Sequence, residues 1–220
     1  ENQDTARMEQ LIKNSSLNVN YQEAKFGQSL LALSVVDKKD LSTFKLLTFG
    51  ANPNLRAFDD SSPFLDACFN SSSLQDPRKI LQILIDHGAE VNSVQIDTTL
   101  DQFGNKKRFE ASALRIGCIY GNLESVKVLV ENGASLTSYG PNEHAILSTA
   151  ALSGKLDILK YLMIDKKAPI PEYCVIRQAG SIYERKLTIS DLLEDDRNAN
   201  DTDMSKIKEE ILAYLKNKAK

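Results

Sequence analysis

The chain has 220 residues, a formal charge of −3, and 26% charged against 42% apolar side chains, the balance of a folded chain with a sizeable core rather than of a disordered, collagen-like or disulfide-dense one. Its longest apolar runs, such as Ile83 to Ile85, fall far below the ~18 residues of a membrane-spanning helix, and its weak negative charge gives no general attraction to nucleic acid or to an anionic membrane. Trp is absent, and seven Tyr and eight Phe are few aromatic anchors for one round core.

In chain order, two blocks alternate. An ending comes first, MEQLIKNSSLNVN (Met8–Asn20), then an opening block, GQSLLALSVV (Gly27–Val36), and its ending, FKLLTFGANPN (Phe44–Asn54). The pair recurs as SSPFLDACFN (Ser61–Asn70) with LQILIDHGAEVN (Leu81–Asn92), as ASALRIGCIYG (Ala111–Gly121) with VKVLVENGASLT (Val126–Thr137), and as HAILSTAALSG (His144–Gly154) with LKYLMIDKKAPI (Leu159–Ile170). The Gly-Ala steps at Gly50, Gly88 and Gly133 are 38 and 45 residues apart, and Lys167-Ala168 follows 34 later. Ser29 to Gly50 and Ser112 to Gly133 both span 21 residues, so the two blocks form one unit. Loop insertions into a fixed unit produce such a drift.

Each unit has the chemistry of a helix pair. Ser29, Ser62 and Ser112 suit N-caps, and Pro63 suits a first turn. Small residues (Ser34, Ala67, Gly117, Ala150 and Ala151) let neighbouring helices approach. Gly121 and Gly154 are expected to end the first helix in the left-handed conformation. The second helix carries an apolar stripe such as Leu123, Val126, Val128, Leu129 and Val130, and Gly133 or its equivalent stops it. One unit cannot bury its own apolar face, so units must stack.

These blocks resemble the ankyrin repeat. Ser62-Pro63-Phe64 stands for Thr-Pro-Leu, Ala150-Ala151-Leu152-Ser153-Gly154 for the small pair and its glycine, and Gly88-Ala89-Glu90-Val91-Asn92 for the exit. The family's His is replaced by Ala32, Leu65, Arg115 and Ser148 in turn, which predicts stacking held more by apolar packing than by the family's polar network. A tetratricopeptide-like helix pair shares the period but lacks the Gly-Ala-x-x-Asn exit. The implied fold is all-α with short β-hairpin links, a solenoid of stacked helix-turn-helix units in one domain over 1–220. Residues 1–20 form a capping half repeat, 21–54, 55–92, 93–137 and 138–168 are repeats, and 169–220 form a degenerate C-terminal cap. In that cap RKLTISDLLEDD (Arg185–Asp196) reads as a worn first helix. The last helix follows, with Met204, Ile207, Ile211, Tyr214 and Leu215 on one face and Asp201 or Thr202 as its cap.

Two insertions interrupt the pattern. Ser71–Pro77 separates the helices of one repeat, with Asp76-Pro77 restarting the second. Val94–Glu110 lies where the family places its hairpin; Phe103-Gly104-Asn105 suggests a turn and Lys106-Lys107-Arg108 a basic tip. It reads either as a finger that touches a partner or as a tolerated solvated loop.

Sites for chemistry are lacking. No Gly-rich phosphate loop or nucleophile elbow occurs, and the isolated His87 and His144 read as capping or surface residues rather than as bases. Cys68, Cys118 and Cys174 have no metal-ligand spacing. Cys68 and Cys118 hold the same slot of adjacent repeats; helices ~8–10 Å apart exceed the reach of a disulfide, which predicts buried free thiols. Neither an enzyme, a cofactor nor a bound metal is expected. The opening at Glu1 reads as a processed or trimmed end, leaving a cytoplasmic or an exported location open.

The resemblance implies a concave binding face. Its slots after the small pair hold Val36 and Asp37, Phe69 and Asn70, Ile119 and Tyr120, and Leu152 and Ser153, flanked by Phe26, Phe58, Asp59 and Tyr139. Phe69, Ile119, Tyr120 and Leu152 are apolar where a solvated face would be polar, so they form either an interaction site or a patch covered by the insertions. The expected function is non-catalytic binding of a protein partner through this face and Phe103, Lys106 and Arg108 of the insertion, by a monomer, with no nucleic acid and no membrane insertion. A structural or inhibitory subunit of an enzyme complex, and a small-ligand binder, are the alternatives.

Overall fold

The computed structural model describes residues 2–14, 18–100, 106–137, 145–177, 179, 184–195 and 202–218. These are mostly helical, and the chain divides into two compact units, Glu1–Ala134 and Ser135–Lys220. The first unit holds α1 (Asn2–Asn14), α2 (Leu30–Val36), α3 (Asp40–Thr48), α4 (Pro63–Asn70), α5 (Pro77–Asp86), an antiparallel ribbon of β1 (Val94–Leu100) and β2 (Lys106–Ser112), α6 (Ala113–Tyr120) and α7 (Leu123–Glu131). Among the described residues no helix is long and apolar enough to cross a membrane.

Helix starts follow the serines. The Ser29, Ser62 and Ser112 hydroxyls accept from the amides of Ala32 (3.1 Å), Leu65 (3.3 Å) and Arg115 (3.2 Å), each satisfying one amide that the first turn leaves without a partner. Asp76 caps α5 through the Lys79 amide at 3.0 Å with Pro77 behind it. Asn122 and Ser125 cap each other across the start of α7.

Helix ends are equally uniform. Gly50, Gly88 and Gly133 have φ of 85°, 91° and 89°. The amides of Ala51, Ala89 and Ala134 reach back to the carbonyls of Leu46 (3.0 Å), Leu84 (3.0 Å) and Leu129 (2.9 Å), the six-to-one bond of a Schellman ending. Gly154 is left-handed as expected, at φ 66°. Gly121 is not: its φ is −81°, and it is required for space, since a Cβ there would lie 2.5 Å from the Gly117 carbonyl and 2.8 Å from the Ser71 hydroxyl. At the end of α2 the left-handed position falls to Lys38, at φ 57°.

Within the first unit α2, α4 and α6 stack in one layer, and α3, α5 and α7 in a second, with α1 against α3. Leu31, Phe64 and Leu114 hold one slot of the first layer and are fully buried, as are Val35, Cys68 and Cys118 in another. Both cysteines are free thiols. The small residues Ser34, Ala67 and Gly117 are buried; Ser34 shares a 2.9 Å hydrogen bond with Thr43 of α3, and Gly117 faces Val126 and Leu129 of α7.

Beside this apolar packing, asparagines tie one helix-turn junction to the next. Asn54 donates from Nδ2 to the Gly88 carbonyl at 2.8 Å and accepts at Oδ1 from the Glu90 amide at 2.9 Å. Asn20 makes the same pair with Gly50 (3.4 Å) and Asn52 (2.7 Å), and Asn92 donates to the Gly133 carbonyl at 3.1 Å. A second row joins the links: Gln22 donates to the Arg56 carbonyl at 2.6 Å, and Arg56 to the Ser93 hydroxyl at 2.7 Å. Asn20 and Asn54 thus use both the donor and the acceptor of the side-chain amide at these junctions.

The second unit holds α8 (Ile146–Leu152), α9 (Leu156–Lys160) running into a π turn at Tyr161–Asp165, the ribbon β3 (Val175–Arg177) with β4 (Arg185–Leu187), α10 (Ile189–Asp195) and α11 (Thr202–Lys218). The stretch 185–195 is strand (Arg185–Leu187) before it is helix: Thr188 bonds to Asp191 and starts α10 only there. On α11 Ile211 is fully buried, and Met204, Ile207, Tyr214 and Leu215 are half-buried. α11 packs on α9, where Lys160 and Glu210 pair at 2.5 Å.

Asn54→Ala should lower the stability of the chain by about 0.5–1.5 kcal/mol, since it removes two hydrogen bonds at a solvent-exposed junction. Lys38→Gly should raise it by about 0.5–1 kcal/mol by relieving the left-handed backbone. Urea unfolding followed by circular dichroism measures both.

Candidate functional site

The turn at 57–61 and the outward side of α4 and α6 bring several of the expected residues together. The Phe58 amide donates to the Phe26 carbonyl of the preceding turn at 3.0 Å, and the Phe58 ring lies over Gly27, where an added Cβ would sit 2.7 Å from it. Gly27, at φ 72°, is thus needed both for its backbone and for the ring above it. Phe58 remains 74% exposed, and Asp59 is exposed beside it.

On the helices, Phe69 of α4 and Tyr120 of α6 meet with ring centroids 4.3 Å apart and planes tilted by 41°. They are 50% and 47% exposed among the described residues. Ile119 and Asn70 are half-buried beside them, and Asn70 donates to the Asp66 carbonyl at 2.8 Å. The insertion after α4 forms a short 3-10 turn (Ser71–Ser73) packed against α6. There the Ser72 hydroxyl donates to the Tyr120 carbonyl at 2.5 Å, which fixes the backbone that carries one of the two rings. Leu33 and Val36 of α2 are also exposed, one layer position away.

The 94–110 insertion is a ribbon, and its ladder runs on to Ser112, which also caps α6. Its base is held to the 57–61 turn: the Ile96 amide donates to Asp60 Oδ2 at 2.7 Å and Gln95 Nε2 to the Asp59 carbonyl at 3.3 Å. Lys106 and Arg108 take register positions opposite Leu100 and Thr98. Phe103 and the expected Gly104-Asn105 turn lie outside the described residues, as do Tyr139 and His144. Leu152 lies exposed on α8 of the second unit.

One residue escaped the reading of the sequence. Asp66 lies three positions before Phe69, on the same side of α4, in the slot held by Leu33 in α2 and by the buried Ile116 in α6. Its Oδ2 is buried without a hydrogen-bond partner. Burial, and secondarily the like charge of Asp59, push its carboxyl up to about 7. The signal was a lone acid in an otherwise apolar slot. A second feature not anticipated is a hollow of about 490 Å³ between α3 and α5, lined by Leu41, Phe44, Ile80 and Ile83 with Lys38 and Lys79 at its edge.

Reactive groups are scarce at this surface. The Cys68 thiol is pushed far up by burial, and that of Cys118 up to about 12 by the same cause, so both are poor nucleophiles. His87 ends α5 with Nδ1 2.8 Å from the Ile83 carbonyl. Among the described residues no group of three or more His, Cys, Asp or Glu could hold a metal.

Two comparisons bear on the chain. It is similar to the human transient receptor potential cation channel subfamily A member 1, at 27% identity over 158 residues. That stretch is 71% of this chain but 12% of the channel subunit, so the chain corresponds to a small part of that protein. No protein-family model matches.

The Asp66 carboxyl makes a signed prediction. Its folded-state pKa of about 7 stands above the ordinary 3.8, so the folded chain holds a proton that the unfolded chain has released. Stability should therefore fall as pH rises from about 4 to about 7, then level off. Asp66→Asn should remove this slope and make the chain more stable than the parent by about 1–3 kcal/mol above pH 7.5, with the difference vanishing near pH 4. Urea titrations at several pH values test it.

Proposed function

We propose that the chain is an ankyrin-type stack of helix pairs whose task is non-catalytic binding of a protein partner. The partner lies against the 57–61 turn and the outward side of α2, α4 and α6, with the 94–112 ribbon as a projecting finger. The repeated blocks, the two helix layers of the first unit, and the partial likeness to a channel subunit support this reading. The observation that carries it is the Phe69–Tyr120 ring pair, half-exposed on α4 and α6. Exposed aromatic pairs cost solubility, and Tyr is enriched among the residues that dominate binding energy. No catalytic residue and no cofactor is assigned to the surface, and the chain is taken to act as a monomer.

Recovery of partners from an extract of the source cells by the tagged chain tests this. Phe69→Ala and Tyr120→Ala should each reduce recovery of the specific partner about tenfold or more, whereas Phe44→Ala on the opposite helix layer should leave it unchanged. Unchanged recovery with both ring variants would remove the assignment of this surface.

A further inference from the structure

The proposed surface contains an electrostatic mismatch. Asp66 projects on the Phe69 side of α4, yet its Oδ2 is buried and accepts no hydrogen bond. The neighbouring charge acting on it is another carboxylate, Asp59, whose Oδ1 accepts only the Ser61 amide at 3.1 Å. The nearest cation in sequence on that turn is committed elsewhere: Arg56 bonds to the Asp60 carbonyl at 2.7 Å, faces Asp60 Oδ2 at 3.8 Å, and donates to Ser93. Among the described side chains no cation pairs with Asp59 or Asp66. A half-buried acid of this kind is unfavourable in the free protein and becomes favourable once a positive charge arrives.

Beside the two acids stands the ring pair. Phe69, three residues on from Asp66, and Tyr120 are each about half exposed, and aromatic rings attract cations as well as apolar side chains. Negative charge recessed beside exposed rings is complementary to one kind of group, a Lys or Arg head on an apolar stem. A metal ion fits less well, since two carboxylates on separate elements fall short of a coordination shell.

We infer that the angle between the 57–61 turn and α4 receives a Lys or Arg side chain of the partner, with apolar residues next to it in the partner lying on the Phe69–Tyr120 rings. This rests on the protein-binding reading above and states which chemistry that partner must present. The cation meets Asp66 and Asp59, and its stem and neighbours cover the rings. Binding thereby supplies the charge that α4 lacks, so that specificity comes from the acid and much of the affinity from the rings.

Random peptides displayed on phage and selected on the full chain at pH 7.5 test the inference. Enriched sequences are resynthesised with a fluorophore and titrated by fluorescence anisotropy. The expected consensus carries one Lys or Arg flanked by apolar residues. Changing that residue to Gln, or Asp66→Asn in the protein, should each weaken binding about tenfold, and the two together should cost little more than either alone. Phe69→Ala should weaken binding to parent and Asp66→Asn chains alike. Peptides that need Phe69 and Tyr120 but are indifferent to Asp66→Asn, or that lack a basic residue, would overturn the inference and leave the protein-binding reading standing. Peptides indifferent to Phe69→Ala and Tyr120→Ala, or the failure of any peptide to enrich, would overturn both.

Discussion

The first unit depends on a shortage of interior. A pair of helices of seven to ten residues has an apolar side that it cannot cover alone, so α2 needs α4 and α4 needs α6. Within a pair the helices approach closely at small residues, Ser34 against Thr43 of α3 and Gly117 against Val126 and Leu129 of α7, while Leu31, Phe64 and Leu114 supply buried bulk. Aromatic anchors have little room between such thin layers, which explains the absence of Trp. Apart from buried ones such as Phe64, several aromatics lie on turns and outward faces, among them Phe26, Phe58, Phe69 and Tyr120. The same constraint that shapes the core therefore also populates the candidate surface.

Much of this was legible because it is local. A serine before an apolar run, a proline after it and a glycine beyond it act within one turn of helix: α2, α4 and α6 begin at Ser29, Ser62 and Ser112, and α3, α5 and α7 stop before Gly50, Gly88 and Gly133. The ribbon was legible from its position between two helix pairs. What escaped the reading depends on contacts between distant residues. Asn20, Asn54 and Asn92 look like ordinary loop residues, and their role emerges only when the next junction lies alongside. Gly121 looks like a helix stop but answers to a crowding hydroxyl from Ser71. Arg185–Asp196 has helical composition throughout, yet its first residues pair as a strand with Val175–Arg177.

The candidate surface was half legible. The slots that carry Phe69 and Tyr120 could be counted from the small pair, and their exposure agrees with that count. Asp66 was passed over because an acid on a short helix reads as a solvated charge; its burial is set by the turn that folds beside it, and no pattern within α4 announces it. The support under the rings was also hidden, since the Ser72 bond to the Tyr120 carbonyl spans 48 residues.

The asparagine links carry a consequence for how such a chain can grow. They connect residues 30, 34 and 41 apart in sequence while making one and the same junction in space. The extra residues lie in Ser71–Pro77 and in the ribbon after Asn92, away from the helix-turn corners that the amides clasp. Length is thus free to vary between the corners but not at them. A lineage of such chains can lengthen a finger or widen a gap between helices, and so acquire new surface, without renegotiating the frame that holds the layers in step.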